Sequence, residues 1–174
     1  MITNYFDLFN LPEQFDIDLQ KLKAQYQLLQ KITHPDRFVN ASDQEKRLYL
    51  QKNAQVNDAY SVLQSPVKRG EHLLSLRAYK LADEQQTMGD TDFLMQQMQL
   101  REQLAEAESS SDFAALESDI NDLTTHYIEQ VRSQLATQTD DANHQAAQTL
   151  TKLKFLLKLE SEAQLRKEQV LEDD

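Results

Sequence analysis

The sequence predicts an all-α protein, and three observations carry that prediction. Two glycines and three prolines in 174 residues are too few for the tight turns of a β-sandwich or barrel. The chain is rich in Gln, Leu, Glu, Ala and Lys, all good helix formers. Apolar residues recur at three- and four-residue steps, the period of one helix face. With 40% apolar content, there is material for one medium domain or two small ones.

The first element is a helical turn or two carrying Tyr5, Phe6, Leu8, Phe9 and Leu11, closed before Pro12. Asp16 or Asp18 then caps a helix whose buried stripe is Leu19, Leu22, Tyr26 and Leu29. It runs to about Thr33, because the residue before Pro35 is pushed out of helical geometry. Lys21, Lys23, Gln27 and Lys31 lie off the stripe, towards solvent. Ser42-Asp43-Gln44-Glu45 is a capping box opening a helix with Tyr49, Val56, Ala59, Tyr60 and Leu63 inward, ended before Pro66. The two form an antiparallel pair joined by a loop of about eight residues. A shorter helix follows to about Leu76.

Residues 78–90 form the expected connection between two domains, 1–77 and 91–174. Tyr79, Leu81 and Met88 point to a packed connection more than a loose linker. Three helices follow, about 91–108, 112–136 and 141–169, broken at "SSSD" and "TQTDD". Short loops between long amphipathic helices imply an up-down-up bundle.

Composition removes several function classes. No cysteine occurs, which excludes disulfides, a thiol nucleophile and thiolate-ligated zinc or iron–sulfur clusters. His72, His126 and His144 are scattered without metal-ligand spacing, so surface or packing roles are expected and no metal site. Two isolated glycines cannot build a phosphate cradle; no cofactor is expected, and any ATP belongs to a partner. The start lacks a signal or transit pattern and no run approaches the ~20 apolar residues of a membrane span, so a cytoplasmic protein is expected; a monomer is expected separately. The net charge of −11 is uneven: residues 1–75 carry nine basic and nine acidic residues, the remainder nine and twenty. That acidity argues against nucleic-acid binding.

Two constellations stand out. In "QKITHPDRFVN", His34, Pro35 and Asp36 are consecutive between two helices. They form a helix stop, a surface that another protein reads, or an acid–base pair. The last needs a further nucleophile or metal, and the sequence nominates none. In "DTDFLMQQMQLREQLAEAE", Phe93, Leu100, Leu104 and Ala107 share one face; Leu94, Met95 and Met98 make a second, continued by Glu102 and Glu106. In the last helix Leu150, Leu153 and Leu157 form the stripe, leaving Phe155 and Leu159 off it. Two apolar stripes mean either a broad core or an exposed patch rimmed by carboxylates, which marks a protein-binding surface.

The His-Pro-Asp with the preceding lysines and the following "VNDAYSVLQSPVKR" resembles the J-domain family, partners of DnaK-type ATPase chaperones, over about residues 3–77. The resemblance implies no catalytic residues. It implies docking of Lys21, Lys23 and Lys31, joined by Arg37, on an acidic patch of the chaperone; a solvated helix face is the plainer role for those lysines. Asp36 engages the chaperone, Pro35 directs the loop and His34 fixes it by hydrogen bonding. With "RGEHLLSL" and "KLKFLLKL" added, the whole chain resembles the HscB family of iron–sulfur co-chaperones. There the bundle binds the scaffold protein IscU and the J-domain recruits and stimulates the chaperone HscA. The matching positions are Leu94, Met95, Met98, Glu102, Glu106 and Phe155. Gln99 stands where that family commonly has an acid, which puts the need for charge there in doubt. A J-domain protein of another pathway, with a different client, is the alternative.

Overall fold

The computed structural model describes residues 2–81 and 89–172, the side chain of the last excepted. Helices α1 (Tyr5–Leu8), α2 (Leu19–Thr33), α3 (Asp43–Gln64), α4 (Pro66–Leu76), α5 (Thr91–Glu106), α6 (Ser110–Ala136) and α7 (Asp140–Glu172) follow in order. No strand occurs among the described residues, so the all-α reading holds. The chain divides into two compact units, Met1–Tyr79 and Lys80–Asp174. Most of the expected 78–90 connection, residues 82–88 with Met88, lies outside the described residues.

In the first unit each helix starts on a side-chain acceptor. Asn4 caps α1 and Asp18 caps α2; Ser42 and Glu45 complete the capping box of α3; Ser65 caps α4 with Pro66 in its first turn. Such caps pair otherwise orphaned N–H groups, each worth about 1 kcal/mol. Phe6, Phe9, Leu22, Leu63, Leu73 and Leu74 are fully buried, with Val56 and Ala59 beside them. Leu19, read as part of the stripe, is 54% exposed. It is the first residue of α2, in the opening turn, and its sequence period is right while its position along the axis is not.

Helices α2 and α3 pair antiparallel, and the seam changes character along its length. Tyr26 and Tyr60 stack 4.0 Å apart. Towards the loop the partners are polar. Tyr26 Oη donates to Asn57 Oδ1 at 2.8 Å, and Asn53 Nδ2 donates to Gln30 Oε1 at 3.0 Å and to Thr33 Oγ1 at 3.1 Å. Arg69 is buried; its guanidinium donates to the Leu63 carbonyl at 2.7 Å near the end of α3 and lies over the Phe15 ring. His72 takes the packing role: buried, it accepts the Tyr5 N–H on Nε2 at 3.1 Å and stacks on Tyr5 and Phe6.

The second unit is the up-down-up bundle. Gln103 reaches Asp119 and Tyr127 reaches Gln96, so α5 and α6 run antiparallel. Arg166 donates to the Ala105 carbonyl and Lys167 pairs with Glu117. Asp90 caps α5 through the Phe93 N–H and pairs with Lys152 of α7. Its carboxyl sits below the usual range, chiefly because Lys152 donates to it and then because Phe93 N–H does. Phe93, Phe113, Leu116, Leu150, Leu153, Leu156 and Leu159 fill the core. The α7 stripe therefore needs correction: Leu159, placed off it, is fully buried with Leu156, whereas Leu157 is 41% exposed. In "KLKFLLKL" the apolar residues are too dense for periodicity to choose the buried pair, and packing against both α5 and α6 selects it.

Candidate functional site

The first candidate surface is the α2–α3 loop. His34 ends α2 in extended geometry, as the residue before a proline must, and Pro35–Phe38 form a single 3₁₀ turn. His34 Nδ1 accepts the Asp36 backbone N–H at 3.3 Å, so this side chain caps the turn. The Asp36 carboxylate lies 3.5 Å from the same nitrogen. A lone pair engaged by an N–H leaves no Nδ1–H to donate to a carboxylate, the reverse of the geometry by which an Asp orients a catalytic imidazole. The Asp36 side chain is 88% exposed and presents its carboxylate to solvent. Arg37 turns back, its guanidinium donating to the Lys31 carbonyl at 3.0 Å over the last turn of α2. That bond stiffens the loop while keeping the cation beside it.

Lys21, Lys23 and Lys31 are all exposed and Leu22 is buried. At about 100° per residue the three span roughly a 160° arc centred opposite Leu22, so the structure sets them on one outward face of α2. Sequence reading missed their apolar neighbours. Leu28 and Ile32 are about half exposed and, with Lys31, His34 and Arg37, line an open depression of about 560 Å³. The signal was present, since both lie off the α2 stripe. On the other side of the loop Phe38 lies flat on Tyr49 at 3.5 Å.

The second candidate surface lies on the bundle. Leu94, Met95 and Met98 are 52%, 65% and 65% exposed, while Phe93, Leu100 and Leu104 of the same helix, and Ala107 at its C-terminal cap, are buried. The broad-core alternative fails for α5: its second stripe faces water. Gln99, Glu102 and Glu106 are exposed beside it. Phe155 is half-buried, its ring meeting that of Phe93 edge to face at 5.7 Å and lying 5.5 Å from the Arg101 guanidinium. Arg101, Lys154 and Lys158 bring a basic side to this surface that sequence reading missed. Lys154 and Lys158 stand four residues apart around Phe155 in the sequence, but an acidic half gives a lysine pair no mark of its own.

Among the described residues no group of three or more His, Cys, Asp or Glu could hold a metal ion, and no helix is long and apolar enough to cross a membrane.

Residues 89–164 match the family described as the HSCB C-terminal oligomerisation domain. A co-chaperone protein HscB homolog of Pseudoalteromonas atlantica is 52% identical, covering 98% of this chain and 99% of its own length. The solved chaperone HscB from Vibrio cholerae superposes with a TM-score of 0.85 at 38% identity, covering 97% of this chain and 99% of that one. Human co-chaperone protein HscB gives a TM-score of 0.88 at 32% identity, covering 95% of this chain and 82% of the other. Full-length identity of this order, with both the loop-bearing unit and the bundle covered, has one consequence: the chain belongs to the HscB co-chaperone family.

Proposed function

We propose that this protein is an adaptor between an iron–sulfur cluster scaffold of the IscU type and a DnaK-type chaperone of the HscA type. It acts in the cytoplasm and assists maturation of iron–sulfur proteins. Residues 1–77 are the chaperone-directed J-domain, 91–174 the scaffold-binding bundle and 78–90 the connection. Lys21, Lys23, Lys31 and Arg37 dock electrostatically, Asp36 with Pro35 and His34 engages the chaperone and stimulates its ATPase, and the Leu94–Phe155 surface holds the scaffold. The observation that carries the reading is the exposure of Leu94, Met95 and Met98 beside a bundle core already filled by other residues. Apolar side chains left in water on one face, fringed by acids, are the anatomy of a protein-binding patch.

Holding scaffold and chaperone on one chain raises their mutual effective concentration. The test is steady-state ATP turnover of the HscA-type chaperone with this protein, with the scaffold, and with both. Stimulation greater together than the sum of the separate effects supports the adaptor. Stimulation by this protein that the scaffold leaves unchanged would instead favour a co-chaperone with another client.

A further inference from the structure

We infer that the α5–α7 groove reads charge with a fixed polarity. It seats a scaffold segment whose apolar side chains are flanked by an acidic group on the α7 side and a basic group on the α5 side. This rests on the adaptor reading above and specifies the chemistry of the client surface.

The helical period sets the order of side chains across the groove. Going round α5 from the side that meets α7, Arg101 comes first, then Leu94 and Met98, then Glu102 with Met95, and last Glu106. On α7, Phe155 faces α5 and Lys158 and Lys154 lie beyond it. Arg101, Thr151, Lys154, Phe155 and Lys158 line a cleft of about 260 Å³ with Phe93 and Gln97. The surface therefore passes from cations, with Glu162 paired to Arg101 among them, across Leu94 and Met98 to a flank where Glu102 and Glu106 alternate with Met95.

Both flanks set like charges one helical turn apart: Glu102 with Glu106, and Lys154 with Lys158. Such pairs weaken the helix that carries them. All four side chains are exposed; on the lysine flank Glu162, one turn after Lys158, offsets part of that cost. Of nine basic residues in 76–174, three line this cleft, in a half where acids outnumber bases about two to one. Arg101 is held by Glu162 and by the Phe155 ring, which keeps that end of the strip fixed.

A rim of opposed charges selects orientation more than affinity, because a segment laid down backwards meets like charge at both flanks. The acidic flank also repels phosphate, which disfavours a nucleic acid or a lipid headgroup. A second copy of this chain is the competing occupant, since residues 89–164 match an oligomerisation domain family.

The full-length protein is titrated calorimetrically with the purified IscU-type scaffold at about 50 mM and 0.5 M salt. Three variants are compared: Lys154→Glu with Lys158→Glu, Glu102→Lys with Glu106→Lys, and all four together. The quadruple variant reverses polarity at unchanged net charge. Circular dichroism checks helicity throughout. Each double variant is expected to lose about ten-fold or more in affinity at low salt and less at high salt, and the quadruple variant not to recover. Unaltered binding by the lysine double variant, or full recovery in the quadruple one, overturns the inference and leaves the adaptor reading standing. Failure of the unaltered protein to bind the scaffold overturns both. A doubled mass in light scattering, abolished by the lysine reversals while scaffold binding is unchanged, assigns the groove to a second copy and likewise overturns it.

Discussion

The rings of Phe93 and Phe155 meet edge to face, 5.7 Å apart and 88° between planes, with Phe93 in the core and Phe155 partly exposed. One contact thus ties the candidate binding surface to the bundle interior. Phe155→Ala is expected to cost the bundle about 1–2 kcal/mol, part from the aromatic pair and part from lost burial. Leu94→Ala, at an exposed position, is expected to change stability by less than about 0.5 kcal/mol. Both are expected to weaken scaffold binding about ten-fold or more. Chemical denaturation beside calorimetry separates the two effects. Should Leu94→Ala unfold the bundle, that side chain belongs to the core.

Asp36 has an almost fully exposed carboxylate, and the bond that shapes the turn uses its backbone N–H, not its side chain. Asp36→Asn is therefore expected to leave the melting temperature unchanged within about a degree while removing stimulation of chaperone ATP turnover. An Asn variant that stimulates normally would refute the docking mechanism.

The α2 lysines predict an association rate that depends on ionic strength. Exposed charges steer encounter and are screened beyond about 8 Å at physiological salt. Stopped-flow association with the chaperone is expected to slow several-fold between about 50 and 300 mM salt. A Lys23→Glu, Lys31→Glu variant is expected to associate more slowly at low salt, with a flatter salt dependence. Identical salt curves would return these lysines to an ordinary solvated face.

His72 predicts a pH dependence. Burial pushes its pKa below the ordinary 6.5, against a smaller upward pull from Glu13, and Nε2 can accept the Tyr5 N–H only while unprotonated. The unfolded chain then takes up a proton near pH 6.5 that the folded chain refuses. This contribution to stability is complete above about 6.5 and declines as pH falls through that value towards the lower folded pKa. The first unit is expected to melt at a lower temperature at pH 5.5 than at 7.5. His72→Gln is expected to lessen that difference; a variant with the full wild-type slope would assign the dependence to other groups.

The sequence exposed the helices well because their ends carry chemistry. Asp18, Ser42 and Asp90 each accept from N–H groups of the next turn, and those residue types are recognisable without coordinates. It exposed the α5 surface because one helix carried more apolar residues than one core face requires. It failed where periodicity is degenerate, as at Leu156, Leu157 and Leu159, and where a choice depends on another helix. Arg101, Lys154 and Lys158 converge only because α5 and α7 lie side by side in the bundle. His72 in the sequence is one scattered histidine; its role comes from Tyr5, sixty-seven positions away.

The graded seam between α2 and α3 has a mechanical consequence. Far from the loop the pair is sealed by oily residues such as Leu22 and Leu63, shielded from water. Near the His-Pro-Asp end, inside the Phe38–Tyr49 stack, the clasp is made of part-buried amides and hydroxyls, bonds whose net worth is only about 1 kcal/mol each. Such a hairpin opens like tongs, tip first, and the tip can yield without disturbing the hinge. Amide hydrogens around Thr33 and Asn53 should then trade with deuterium well before those around Leu22 and Leu63, giving the loop room to adjust to a moving partner while its arms stay clamped.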